Sequence, residues 1–382
     1  MGHLDGPSLL AAARALEPLV LPARARFDEE RQLPASLVQA LGKAELFGMW
    51  LPRALGGAEL PPLEFLAVIE ELSRQDGSAG WCTVIPAGYG RLAGSMQPQA
   101  AREIFAAGQG IVAGTLNPTG KAVLALGGWR VTGRWSYGSF IAHSHWVLGN
   151  CVTETDPPGL RLCFFPRAEA EVIDLWHVGG LRGTGSNDYQ VADVLVPDEH
   201  TVPLVGFQPP PVDPGLLYRV PMTTTFVACI ATVALGIARA AIEALTEIAG
   251  AKTPMGSSGL LRDKVLSQVD RARAEALLRS GRAYLWDELG ACWDDVLAGR
   301  EVTIQRRAMV RLAACQAAQN AIQATDLMYA CGGGSSLFQG NRLERAFRDI
   351  HAAGQHLVVQ PQSNLEPIGR VLFGLDPGLA RF

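Results

Sequence analysis

Hydrophobic and polar positions along this chain fall into three successive patterns. Up to about residue 108, apolar residues recur at helical spacing between charged ones, as in residues 35–46 after Pro34 and 62–72 after Pro61. Leu55-Gly56-Gly57 and Asp76-Gly77-Ser78 break these helices. From about residue 109 to 205 Val, Trp, Tyr and Thr become common and glycines punctuate short runs. Residues 128–133, 144–152 and 191–196 read as strands in a module of about seven. A proline-rich connector follows at residues 206–214. The helical pattern then returns over about 218–250, 260–298, 301–331 and 343–360. Small residues along 308–324 let these helices approach closely. Gly332-Gly333-Gly334-Ser335-Ser336 interrupts the last two.

This order predicts an N-terminal α-helical domain (residues 1–108), a central β-barrel or sandwich domain (109–208) and a C-terminal four-helix bundle (209–382). The fold class is α+β. Strands and helices do not alternate along the chain, which excludes a Rossmann fold or a TIM barrel.

Composition refines the picture. The 382 residues are 48% hydrophobic and only 18% charged, so some surface is expected to be buried between subunits. A net charge of −4 makes no electrostatic case for nucleic acid. Cysteines 82, 151, 163, 229, 292, 315 and 331 are scattered without CxxC pairs, as expected of free thiols in a reducing compartment. The start, MGHLDG, carries no targeting pattern. The longest apolar run, Phe226 to Ala238, is 13 residues, against the roughly 20 that a membrane span needs. A cytoplasmic enzyme, without a membrane partner, is the expectation.

Four stretches carry candidate chemistry. Gly114-Thr-Leu-Asn-Pro-Thr-Gly120 offers Asn117, a donor and an acceptor together; alone it is an ordinary Asn-Pro turn. Gly133-Arg-Trp-Ser-Tyr-Gly-Ser139 and His143-Ser-His-Trp146 form a second stretch. His143 and His145 share one strand face in this reading, but no third ligand accompanies them, so no metal is expected. Leu181-Arg-Gly-Thr-Gly-Ser-Asn-Asp188 is a glycine-rich loop that lets backbone approach a ligand closely. Cys331-Gly-Gly-Gly-Ser-Ser336 supplies free amides and hydroxyls suited to an anion, or else simply ends a helix.

Together these stretches resemble the acyl-CoA dehydrogenase superfamily over nearly the whole chain, and most closely its two-component flavin-dependent monooxygenases. The resemblance implies a flavin, FMN or FAD, used in reduced form. Asn117 then touches the flavin ring edge, and Tyr137 and Ser139 take the first and third positions of the family's Trp-Ile-Thr motif, with Ser139 at N5. Gly332, Gly333 and Ser335 contact the phosphate or adenine end, with Lys252 and Arg262 beside them. Trp81, Tyr89 and Phe226 line the substrate pocket, although each also reads as aromatic core. A separate flavin reductase, a small-molecule substrate and a homotetramer are implied.

A dehydrogenase of this family needs a carboxylate base. Counting from Arg348-Asp349, that position holds Leu357, and the alternative base is Glu243. The resemblance instead brings His356 to the flavin, as a catalytic residue with Ser139 and Asn117. Five residues apart on one helix, His351 and His356 point about 140° apart, and His356 falls on the small apolar face of Ala352, Ala353 and Val359. Oxygenation of an aromatic or heteroatom-containing molecule is the expected activity. An acyl-CoA dehydrogenase working through Glu243, or a member that binds flavin without turnover, are the competing readings.

Overall fold

The computed structural model describes residues 4–105, 110–213 and 215–382. The expected boundary at 108/109 lies outside the described residues. The N-terminal helices are α1 (Gly6–Ala15), α2 (Glu17–Glu30), α3 (Ala35–Lys43), α4 (Pro62–Gln75), α5 (Gly77–Gly90) and α6 (Pro98–Phe105). Asp76 separates α4 from α5. Its backbone is extended, and its carboxylate accepts from the amides of Ser78 at 2.8 Å and Ala79 at 3.3 Å. One residue thus ends a helix and caps the next.

The strands are β1 (Val112–Ala125), β2 (Gly128–Gly138), β3 (Trp146–Thr153), β4 (Leu160–Pro166), β5 (Glu171–Ile173), β6 (Asn187–Pro197) and β7 (Thr201–Leu204). They form one mixed sheet in the order β5-β6-β2-β1-β3-β4-β7, with β1 and β3 parallel. Side chains alternate across it. Val147, Cys163 and Phe165 join a core on one face with Trp135 and Tyr189, while Leu148, Leu162 and Phe164 face the helical core on the other. Between Thr115–Gly149 and Gly120–Cys151, β1 advances five residues against two on β3, so residues 116–119 bulge from the ladder. Pro118 has no amide to donate there. His143 lies on a 3-10 turn before β3, not on the strand, so the expected shared face with His145 does not exist. His143 bonds the Leu33 carbonyl at 2.8 Å, and the Ile111 amide donates to His145 Nδ1 at 3.3 Å.

The C-terminal part holds α7 (Met222–Ala251), α8 (Val265–Leu297), α9 (Ile304–Gly332), α10 (Arg342–Gly354) and α11 (Pro361–Leu372). α7 runs between α4 and α9 with most of its residues buried. By length and composition it is apolar enough to cross a membrane, which a count of unbroken apolar residues did not register. Here it is the central core helix. The last helix ends earlier than its pattern predicts. α10 ends at Gly354, residues 355–359 turn, and Pro361, which disfavours helical backbone at Gln360, opens a separate α11. His356 lies in that turn.

Candidate active site

A row of hydroxyls marks the meeting of helices and sheet. At the end of β2 the backbone turns left-handed at Tyr137 (φ 67°) and again at Phe140 (φ 66°). This leaves the Tyr137 ring exposed against Trp176 and turns Ser139 inward. Trp81 Nε1 on α5 donates to Ser139 Oγ at 3.2 Å. Ser139 Oγ lies 2.7 Å from Ser186 Oγ, which lies 2.7 Å from Thr184 Oγ1. Thr184 donates to the Leu181 carbonyl at 2.9 Å. That final bond sets the direction of the chain: Ser186 donates to Thr184, and Ser139 donates to Ser186. Ser139 then retains one unused lone pair, beside the one that Trp81 fills.

The loop carrying Thr184 and Ser186 is clamped by α10. Asp349 accepts from the Leu181 amide at 2.6 Å, and a Cβ at Gly180 would lie 2.0 Å from the Arg348 carbonyl oxygen. Burial pushes the Asp349 carboxyl up to about 6, against the pull of Arg345 and Arg348. Arg345 in turn bonds Asp76, the α5 cap, at 2.7 Å. The helix bearing Trp81 and the loop bearing Ser186 are therefore held by one buried ion network.

His356 packs between Trp81 and Phe226, each with its ring centroid 5.6 Å away. Some of its surface remains reachable by solvent, yet it lies deep among protein atoms, and that burial lowers its pKa to about 4. It is neutral at physiological pH. The Val358 amide donates to Nδ1 at 3.4 Å, which places the proton on Nε2. No protein acceptor among the described residues takes that proton. His351 differs: its Nε2 lies 2.9 Å from Asp326. The separation of the two histidines holds, though it comes from a turn and not from phase along one helix.

Tyr89 donates to the Gly114 carbonyl at 3.0 Å, and burial raises its pKa. Asn117 sits on the β1 bulge with its side chain exposed and unpaired. Lys252, Gly332, Gly333 and Ser335 form a second, separate group. Lys252 Nζ donates to the Gly332 carbonyl at 2.6 Å and would lie 3.7 Å from a Cβ at Gly333, whose φ is +60°. The Ser335 carbonyl accepts from Asn341 at 2.8 Å. Arg262 is exposed beside Asp263. Ser186 and Thr184 carry no signal of their own in the sequence, although the glycine-rich string containing them does. Nothing local to that string reveals that β6 and β2 bring it to Ser139.

The unpaired amide of Asn117 and the spare lone pair on Ser139 are the kinds of group that the polar edges of a flavin could use. Glu243, the alternative base, is engaged elsewhere. It pairs with Arg74 at 3.2 Å and Arg342 at 3.9 Å. It also lies about 25 Å along α7 from Phe226.

This arrangement defines a flavin-dependent oxidoreductase of acyl-CoA dehydrogenase architecture. Residues 9–94 match the acyl-CoA dehydrogenase N-terminal domain and residues 228–361 its C-terminal domain. An indole-3-acetate monooxygenase of Pseudomonas putida is 31% identical, over 97% of this chain and 96% of its own. The oxygenase component of an FADH2-dependent resorcinol hydroxylase from a Rhizobium species is 25% identical over 92% and 90%. The crystal structure of the HsaA monooxygenase from Mycobacterium tuberculosis superposes with a TM-score of 0.91 at 26% identity, covering 99% of this chain and 100% of the other. The chain belongs to the acyl-CoA dehydrogenase family, in its flavin-dependent monooxygenase branch, and its cofactor is reduced flavin.

Proposed function

We propose that this chain is the oxygenase component of a two-component system that hydroxylates a small aromatic molecule. The observation that carries the reading is His356: neutral, its proton fixed on Nε2, and packed between Trp81 and Phe226 beside the hydroxyl row. Reduced flavin supplies the electrons that activate O2. Asn117 and Ser139 orient the ring system, while His356 Nε2–H offers a proton to the activated oxygen. Trp81, Tyr89 and Phe226 exclude water, which keeps reduced oxygen from escaping as peroxide. The resorcinol hydroxylase, named an FADH2-dependent oxygenase component, favours FAD and a separate reductase. Lys252, Arg262 and the Gly332–Ser335 loop take the phosphate and adenine end. Exposed Leu337, Phe338 and Phe373 fit burial in a homotetramer. Seven free thiols fit a cytoplasmic setting. The domain limits are 1–108, 109–208 and 209–382.

The test supplies FADH2 from a generic reductase and screens aromatics for incorporation of 18O from O2. His356→Ala is expected to abolish product while leaving flavin binding intact; unchanged hydroxylation refutes its role. Bleaching of oxidised flavin by an acyl-CoA without oxygen would overturn the oxygenase reading.

A further inference from the structure

Where the proline-rich connector meets the start of α7 lies a cavity of about 270 Å3, lined by Arg91, Tyr218, Arg219, Met222 and Arg307, with Glu301 the one acid. Two of its donors lack acceptors. The Tyr218 hydroxyl and Arg307 Nε are buried without partners. Arg91 is 5% exposed, yet no carboxylate pairs with it. It donates through Nη2 to the Val220 carbonyl at 2.7 Å and the Leu217 carbonyl at 3.4 Å, and through Nη1 to Thr225, leaving Nε unused. Burial lowers its pKa to about 10, which still leaves it charged. A buried cation without a counter-ion is costly, and so is a buried donor without an acceptor. An anion would give Arg91 a counter-ion and Tyr218 an acceptor, with Arg91 set against Glu59 and Asp213, which act on the Tyr218 hydroxyl from outside the lining. The positive end of the α7 dipole points the same way.

Arg91 and Met222 also line a narrow slot that continues to Tyr89, Leu116 and Phe226, the last of which packs on His356. The slot holds about 20 Å3, the room of a single water, so a ring enters only by displacing Met222 and Phe226. Met222, unbranched and flexible, is the side chain suited to such a displacement.

Building on the proposed aromatic hydroxylation, we propose that the substrate is an aromatic acid: its carboxylate is held in the wider cavity by Arg91 and Tyr218, and its ring lies along the slot toward Phe226 and His356. Arg219 and Arg307 draw the anion to the mouth.

The experiment measures binding of matched pairs, indole-3-acetate with indole-3-acetamide and phenylacetate with phenylacetamide, to the flavin-loaded enzyme without oxygen. Acids are expected to bind at least about tenfold tighter than their amides. Arg91→Gln is expected to erase that preference, weakening the acids far more than the amides. Should Arg91→Gln fail to fold, Tyr218→Phe removes a single hydroxyl and is expected to weaken the acids about fivefold and the amides less. Amides binding as tightly as acids, no acid binding, or a preference left undiminished by the substitutions overturns the proposal. In those cases the oxygenase reading still stands if any aromatic gains oxygen. Arg91-dependent binding of acids with no oxygenation of any aromatic overturns the oxygenase reading alone.

Discussion

Replacing His356 by Gln tests whether its imidazole is desolvated. The native ring titrates at about 4, against 6.5 in an unfolded chain. A depressed pKa means the unfolded state takes up a proton that the native state refuses. His356 therefore contributes stability above pH 6.5, and that contribution is lost as pH falls towards 4, where it levels off. At about 1.4 kcal/mol per unit, the shift amounts to about 3 kcal/mol. The ring's residual solvent exposure makes that a ceiling. Asp349 acts with the opposite sign: its raised pKa gives stability at low pH that is lost as pH rises through about 6. The wild-type curve alone mixes the two. The readout is the difference between wild type and His356→Gln in urea unfolding of flavin-free protein, followed by tryptophan fluorescence. Asp349 cancels in that difference. The wild-type advantage is expected to shrink by up to about 3 kcal/mol from about pH 7.5 to pH 4. A flat difference would show a solvated imidazole and remove the basis for a neutral proton donor. A difference that grows at low pH would mean that His356 is ion-paired.

Ser186→Ala interrupts the hydroxyl row and leaves Ser139 without its acceptor. Binding of reduced flavin is expected to weaken about fivefold, from about 1 kcal/mol for one hydrogen bond, with more peroxide formed per product; unchanged coupling refutes the row's role. Gly180→Ala drives a Cβ into the Arg348 carbonyl, so the loop must leave α10. A loss of about 1–3 kcal/mol is expected from overpacking, read as a lower urea midpoint with weaker flavin binding; wild-type values for both would show that the clamp does not matter.

Much of the architecture is legible along the chain, because helices and strands repeat their apolar residues at different intervals. Thus α4 and α9 announce themselves, as does the glycine-rich string at 181–186. His356 shows the limit. Its pattern continues the helix past Gly354, where the chain turns instead. Its neighbours Trp81 and Phe226 lie 275 and 130 positions away in sequence. Arg91, Tyr218 and Arg307 were invisible for the same reason. Each looks unremarkable in its own segment, and only their convergence on one cavity exposes the unpaired donors.

The burial of α7 also bears on how the protein is made. This apolar helix leaves the ribosome with α4 already available to shelter one side, but α9, which covers the other, ends about 80 residues later. At roughly 5–20 residues per second, that side stays bare for about 4–16 seconds during translation. Over that interval a nascent chain displays a bare apolar segment of membrane-spanning length. The order of synthesis thus leaves the helix that becomes the centre of the bundle uncovered until α9 follows it.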